Sequence, residues 1–378
     1  MDRRNFIGLT AAAAAGLALP SGLVKAGAKP VKRKAGDYSL IVLGDTHYDT
    51  EPDTVYHSDY NEKTEWLNRV QRAEFKRNGE MWRDRCRRLV ERARYLMDDS
   101  TRMVLQVGDL IQGDCGNPDV HVKMLSDTMD YLKTRFNGLP VVTVVGNHDI
   151  RGTGANAAYH KYMPQRMSEE LGRPVSSANF SFNIGDDAYV VIDFNKPDDE
   201  AVQKLIDGTT GARHFFVLVH GPVFPFDSGS CRWFYHGADS DAHTKARRHF
   251  REEFARRNAI VLTGHTHRTE FADWYGDGGR ITQMTFNSVW ASDALGKYET
   301  DAVGASQYGE LRKKITALDN GTAPKDETAL FDEYRPGLKA YSHSPAAGSY
   351  LLNVSGKKVT VDFYAGDSIE CSERFILR

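Results

Sequence analysis

The sequence predicts an α/β fold in which β-sheet layers are covered by helices. Three observations predict it. The chain has 378 residues, 40% of them hydrophobic and 26% charged, which is a globular composition long enough to bury a sizeable core without disulfide staples. Short β-rich runs recur along it, several followed by helical stretches. Five of these runs end in side chains able to bind metal, and ligand sites of open α/β sheets form beyond the carboxyl ends of the strands.

The first residues read as an export signal over 1–28. Asp2, Arg3 and Arg4 lead into an apolar run from Phe6 to Leu19, Pro20 ends it, and Ala26-Gly27-Ala28 fits an A-x-A cleavage site. The run is shorter than the roughly 20 residues that span a bilayer, and no later segment reaches that length, so no membrane span is expected in the mature chain. Arg3-Arg4-Asn5-Phe6-Ile7 resembles the twin-arginine signal, with Asp2 where Ser or Thr is usual, which leaves ordinary Sec export open. The expected location is therefore periplasmic or secreted.

A linker rich in Lys, Gly and Pro follows over 29–37. Residues 39–43 form the first expected strand. Residues 63–97 form a helical stretch, because Trp82, Cys86, Leu89, Ala93 and Leu96 fall on one face. Residues 103–107 and 141–145 are the next strands, with a helix over 119–135 between them. Residues 180–183 and 188–193 read as a hairpin across Gly185-Asp186-Asp187. Strands at 214–219, 260–263 and 281–287 follow, with a charged helix at 243–257 among them. Residues 291–347 have weak periodicity and are expected to be an irregular insertion. Residues 348–378 are expected to close the fold with a hairpin turning at Ser355-Gly356.

Lys and Arg number 49 against 51 Asp and Glu, a net charge of -2 that gives no basic excess for nucleic acid. The four cysteines (Cys86, Cys115, Cys231, Cys371) are scattered without a CxxC pair, and Cys115 and Cys231 sit on loops after site strands where an oxidising compartment would let them pair.

The chemistry lies just past the strand ends. Residues 40–43 lead into Gly44-Asp45-Thr46-His47, residues 103–107 into Gly108-Asp109, and residues 141–145 into Gly146-Asn147-His148-Asp149. Residues 215–219 lead into His220-Gly221, and residues 259–263 into Gly264-His265-Thr266-His267. Two carboxylates, one amide and four imidazoles, without thiolate, suit Zn, Mn or Fe better than Mg or Ca. Seven donors exceed a single tetrahedral ion and fit two ions if a carboxylate bridges. Asp109 is the natural bridge, and ions about 3.5–4 Å apart can clamp a phosphoryl group.

This ordered series resembles the calcineurin-like metallophosphoesterase superfamily, whose signature runs D-x-H, G-D, G-N-H-D/E, H and G-H-x-H. Every element is present between residues 38 and 287, so 38–290 is the expected catalytic core. The resemblance implies a four-layer α-β-β-α sandwich with a dinuclear metal site at the strand carboxyl ends. It implies that Asp45, His47 and His267 bind one metal, that Asn147, His220 and His265 bind the other, and that Asp109 bridges both. His148 is implied to meet the leaving group and Asp149 to orient it; read from the residues, Asp149 serves equally to cap a turn, and His148 alternatively plays a structural role beside the site. The implied reaction is hydrolysis of a small-molecule phosphodiester or phosphomonoester by in-line attack of a metal-bound hydroxide.

Departures narrow the subfamily. Purple acid phosphatases place a Tyr ligand where this chain has Gln112, and the Asp-Arg pair of the protein Ser/Thr phosphatases is missing from the stretch Gly108 to Asp114. The large C-terminal substrate domain usual in secreted nucleotidases does not fit in the residues after Asn287. A metallo-β-lactamase reading fails because no H-x-H-x-D-H string is present. The competing reading is a non-catalytic binding protein on the same frame. Arg151 reads as a solvated arginine or a phosphate contact. His57 and His236 fall in loops that could border the site, and the other histidines outside the pattern read as surface or packing residues. The aromatics Tyr48, Tyr56 and Tyr60, and Phe224, Phe226, Trp233, Phe234 and Tyr235, read either as base- or sugar-stacking groups or as residues that pack their loops down.

Overall fold

The computed structural model describes residues 36–50, 55–224, 234–235, 241–276, 278–287, 301–302 and 333–378. The export signal, most of the expected linker, Phe226, Trp233, Cys231 and His236 lie outside the described residues.

β1 (Tyr38–Leu43) is buried at all six positions, as a strand inside a sheet covered on both faces must be. It pairs in parallel with β2 (Thr101–Gln106), which pairs in parallel with β3 (Val141–Thr143). A second group of strands runs in chain order through β4 (Phe180–Ile184), β5 (Asp187–Val191), β6 (Phe215–Leu218), β7 (Ile260–Thr263), β8 (Thr269–Gly276) and β9 (Gly279–Thr285). β10 (Asp301–Ala302), β11 (Leu338–Ser344), β12 (Gly348–Ser355), β13 (Lys358–Ala365) and β14 (Glu373–Ile376) complete the described strands. They form two mixed sheets, one of order β14-β13-β12-β1-β2-β3 and one of order β10-β11-β8-β9-β7-β6-β5-β4.

The sheets meet face to face. Tyr38 of β1 donates to Asp187 of β5 at 2.8 Å and lies 2.7 Å from the Tyr189 hydroxyl. Toward the other end, Tyr350 of β12 meets Phe286 edge-on, and Phe271 of β8 stacks on Phe375 of β14. Helices cover the outer faces. α1 (Glu65–Met81) continues through a wider π turn (Trp82–Cys86) into α2 (Arg87–Arg94), which packs on β1 and β12. α3 (Pro118–Arg135) and α4 (Ala155–Leu171) pack on β3, α5 (Asp199–Asp207) on β4, and α6 (Asp241–Arg256) on β8 and β9. The result is the four-layer α-β-β-α arrangement.

Local signals explain the helix starts. Thr64, Asn117 and Asp198 each accept a backbone N–H of the first turn of α1, α3 and α5, and Pro118 follows Asn117 at a position that needs no donor. The expected face of Trp82, Cys86, Leu89, Ala93 and Leu96 is buried throughout.

Several elements were not expected, among them α4, α5, β8 and β11. α4 buries Ala155, Ala158, Tyr159, Met163 and Met167, but Pro164 in mid-helix breaks the usual reading. α5 is only nine residues long. β8 and β11 lack a regular apolar–polar alternation, with polar runs at Thr269-Glu270 and Ser342-His343-Ser344, and pair with each other antiparallel. β11 lies inside the stretch 291–347, so part of that stretch is ordered sheet held by backbone pairing.

Candidate metal centre

The carboxyl ends of β1, β2 and β3 in one sheet and of β6 and β7 in the other meet at one rim. Two bonds join them across the sandwich. The His265 N–H donates to the Asp45 carboxylate at 3.0 and 3.2 Å, and His220 Nδ1 donates to the Val107 carbonyl at 2.9 Å. Gly264 and Gly108 permit this approach. A Cβ on Gly264 would overlap the Asp45 carboxylate, and one on Gly108 would overlap the His220 ring at a backbone φ of +96°.

The backbone at the rim is strained. His47, Asp109, His265 and His267 all have positive φ, at 41°, 52°, 71° and 52°. Non-glycine residues reach that region at a cost of order 1–3 kcal/mol each, and such outliers cluster at functional sites.

All seven expected ligands converge. Ligand atoms of Asp45, His47, Asp109 and His267 lie within 4.8 Å of one another, and so do those of Asp109, His220 and His265. Asp109 belongs to both groups. Asn147 joins the second group, with its Oδ1 3.2 Å from His220 Nε2. Both groups meet the same oxygen of Asp109: Oδ2 is 3.7 Å from His47 Nε2 and 3.3 Å from His220 Nε2.

The donor set fits cations. With Nδ1–H committed to Val107, Nε2 of a neutral His220 is a lone pair, yet it faces Asn147 Oδ1, Asp109 Oδ2 and, at 3.2 Å, His265 Nδ1. His47 Nε2 likewise faces His267 Nε2 at 3.1 Å, with Asp45 Oδ2 3.0 Å from the latter. Acceptors aimed at acceptors call for positive charge between them. Without a cation, a proton on His220 supplies part of that charge. Burial disfavours a charged His220, but the Asp109 carboxylate outweighs it and lifts the group to about 9. Burial raises Asp109 in turn, and His220 and His148 overcome that and hold it well below the usual carboxylate range. Burial keeps His47 and His265 well below the ordinary imidazole value, hence neutral and able to ligate.

His148 stands against this cluster, its ring edge-on to His47 with centroids 4.4 Å apart. Its Nδ1 donates to the Gln112 carbonyl at 2.9 Å, and its Nε2 lies 3.3 Å from Arg151 Nη1. Asp149 does not orient it as expected. The Asp149 carboxylate accepts from the N–H groups of Ile111 at 3.1 Å and Gly146 at 2.8 Å, so it ties the second and third site loops together. Burial and the Asp109 charge push its carboxyl upward, to about 8.

Arg151 is not a solvated surface group. It pairs with Asp114 and, at 3.3 Å, with Glu74 Oε1 of α1. Burial raises the Glu74 carboxyl, and Arg151 overcomes this and leaves it below the usual range. No motif pointed to Glu74 or Asp114, although Asp114 follows Gly113 in a loop where both have positive φ.

The other candidates pack the frame. His57 is fully buried, bonded to Asp49 at 2.9 Å and stacked on Phe75. Tyr48, Tyr56 and Tyr60 are buried, with Tyr48 edge-on to Trp82 and Tyr56 bonded to Asp127. Phe224, Phe234 and Tyr235 are buried as well. Among the described residues Cys86, Cys115 and Cys371 form no disulfide, and the expected Cys115–Cys231 pairing lies outside them.

The family model for calcineurin-like phosphoesterases matches residues 38–269. The chain belongs to that family, a class of metal-dependent phosphoesterases. No curated protein matches the sequence. Among solved structures, PhoD shares 11% identity, with 90% of this chain and 68% of that one covered and a TM-score of 0.49. A dimetal phosphatase from Danio rerio shares 10% over 90% and 98%, at 0.47. GAP50, the anchor in the inner membrane complex of Plasmodium, shares 11% over 90% and 89%, at 0.44.

Proposed function

We propose that this chain is an exported phosphoesterase that hydrolyses small-molecule phosphodiesters or phosphomonoesters with two metal ions of the Mn, Fe or Zn kind. The observation that carries the reading is the sharing of Asp109 Oδ2 by two clusters of ligand atoms. Asp45, His47 and His267 hold one cation, Asn147, His220 and His265 hold the other, and Asp109 serves both. Cations bound there supply Lewis-acid charge at the phosphoryl oxygens and acidify water.

The chain's own groups do the rest. Gln112 and Val107 accept the Nδ1–H of His47 and His220, which fixes the tautomers that aim Nε2 inward. His148, held at Nδ1 by the Gln112 carbonyl, turns Nε2 to the leaving-group side; there Nε2 accepts from Arg151 Nη1 and burial lowers the imidazole pKa, so the ring must take up a proton before it donates one to the leaving-group oxygen. Arg151 adds positive charge beside that atom. Export rests on Arg3-Arg4, the apolar run and the Ala26-Gly27-Ala28 cleavage pattern.

Metal-stripped protein reloaded with Mn should turn over bis-p-nitrophenyl phosphate or p-nitrophenyl phosphate, and their ratio separates diesterase from monoesterase. Two metals bound with no turnover of either, nor of a wider phosphate-ester panel, would favour the binding protein. N-terminal sequencing of the mature protein should start near Lys29; an intact Met1 would count against cleavage.

A further inference from the structure

Glu74 lies on α1, outside every motif that assembles the ligand set. Its Oε1 accepts from Gln112 Nε2 at 3.1 Å and from Arg151 Nη2 at 3.3 Å. Gln112 turns the other end of its amide, Oε1, to His47 Nδ1 at 3.2 Å. Arg151 turns Nη1 to His148 Nε2 at 3.3 Å. One carboxylate oxygen thus joins the His47 side of the site to the His148 side. We infer that Glu74 is a positioning residue for the centre, acting on His47 through Gln112 and on His148 through Arg151.

The inference builds on the proposed metal centre, and its physical reason is the asymmetry of an amide. A carboxylate can accept only from the NH2 end of Gln112, so the carbonyl end must face His47. That makes His47 donate from Nδ1 and leaves the Nε2 lone pair for the cluster. Without Glu74 the amide is free to flip. An NH2 group facing His47 would take the Nδ1 lone pair, protonate Nε2 and remove a ligand. Arg151 has a second carboxylate partner in Asp114 and keeps part of its hold. The loss should therefore fall mainly on cation binding.

The test is calorimetric titration of Mn into the metal-stripped full chain, which needs no turnover. Partners of this outer kind typically contribute about 10–100-fold in metal affinity. Glu74→Ala and Gln112→Ala should each weaken binding by about tenfold or more. The double variant should be no weaker than either single one, because both act along one path. Glu74→Gln keeps an oxygen acceptor and should recover most of the affinity. Unchanged binding in Glu74→Ala, additive losses in the double variant, or Glu74→Gln as weak as Glu74→Ala would overturn the inference while the proposed function stands. If Glu74→Ala does not fold, Gln112→Ala and Glu74→Gln decide alone: a loss in the first with retention in the second supports the inference, and any other pattern overturns it. Failure of the unsubstituted chain to bind any of Mn, Zn and Fe would overturn the proposed function and this inference with it.

Discussion

The backbone N–H of His148 donates to Asp109 Oδ1 at 2.7 Å. That bond occupies one oxygen of the carboxylate and leaves Oδ2 facing His47 and His220 together. The residue proposed to meet the leaving group therefore also sets, through its main chain, the carboxylate shared by the two ligand clusters. Side chain and backbone of His148 have separable tasks, and substitution can separate them.

His148→Ala removes the imidazole and keeps the amide that holds Asp109. Turnover should fall by about 10²–10⁴-fold. Metal content by elemental analysis should stay near that of the unsubstituted chain. Full activity would remove the proton-donor role, and loss of both metals would show that the ring supports the ligands instead.

Asp109→Asn keeps the shape of the side chain and removes the charge that both clusters face. At least one of two metal equivalents should be lost on dialysis, with activity lost alongside. Retention of two equivalents would show that Asp109 is not the shared ligand.

Gly108→Ala places a methyl group against the His220 ring at a backbone conformation that L residues rarely adopt. Destabilisation of roughly 2 kcal/mol or more is expected from strain and overlap together, with loss of the cation on the His220 side. Thermal melting and elemental analysis read the two effects, and an unshifted melt with two metals retained would contradict the packing described.

His121 offers a pH prediction away from the ligands. Its Nε2 donates to the Asp149 carbonyl at 2.8 Å, and burial lowers its pKa from 6.5 to about 4. Between those values the unfolded chain takes up a proton that the folded chain refuses. Stability is then lost as pH falls from 6.5 toward 4, by about 2 kcal/mol at pH 5. His121→Gln keeps a donor for Asp149 and has nothing to titrate. Its melting temperature should drop less between pH 7 and pH 5 than that of the unsubstituted chain; equal drops would refute the assignment.

Legibility was uneven for physical reasons. β1 and β7 announce themselves as short continuous apolar runs because both their faces are buried, and the face from Trp82 to Leu96 by the period that one buried side of a helix imposes. The ordered ligand series is equally plain, since chemistry demands particular side chains at strand ends. β8 and β11 were hidden because their partners, not their own patterns, make them strands. α4 was hidden by Pro164. Arg151 was misread because the carboxylates that hold it come from α1 and from a neighbouring loop.

What the linear chain settled was the kinds of donor and the family they resemble: Asp, Asn and His at the ends of parallel strands. Only the folded form decided that one oxygen of Asp109 faces both clusters, that Asp149 staples two loops instead of steering His148, and that Glu74 reaches Gln112 and Arg151. Side-chain identity is local information. Which hydrogen-bond partner each side chain meets depends on how two sheets and an outer helix pack, and residues 74, 112 and 151 become neighbours only then.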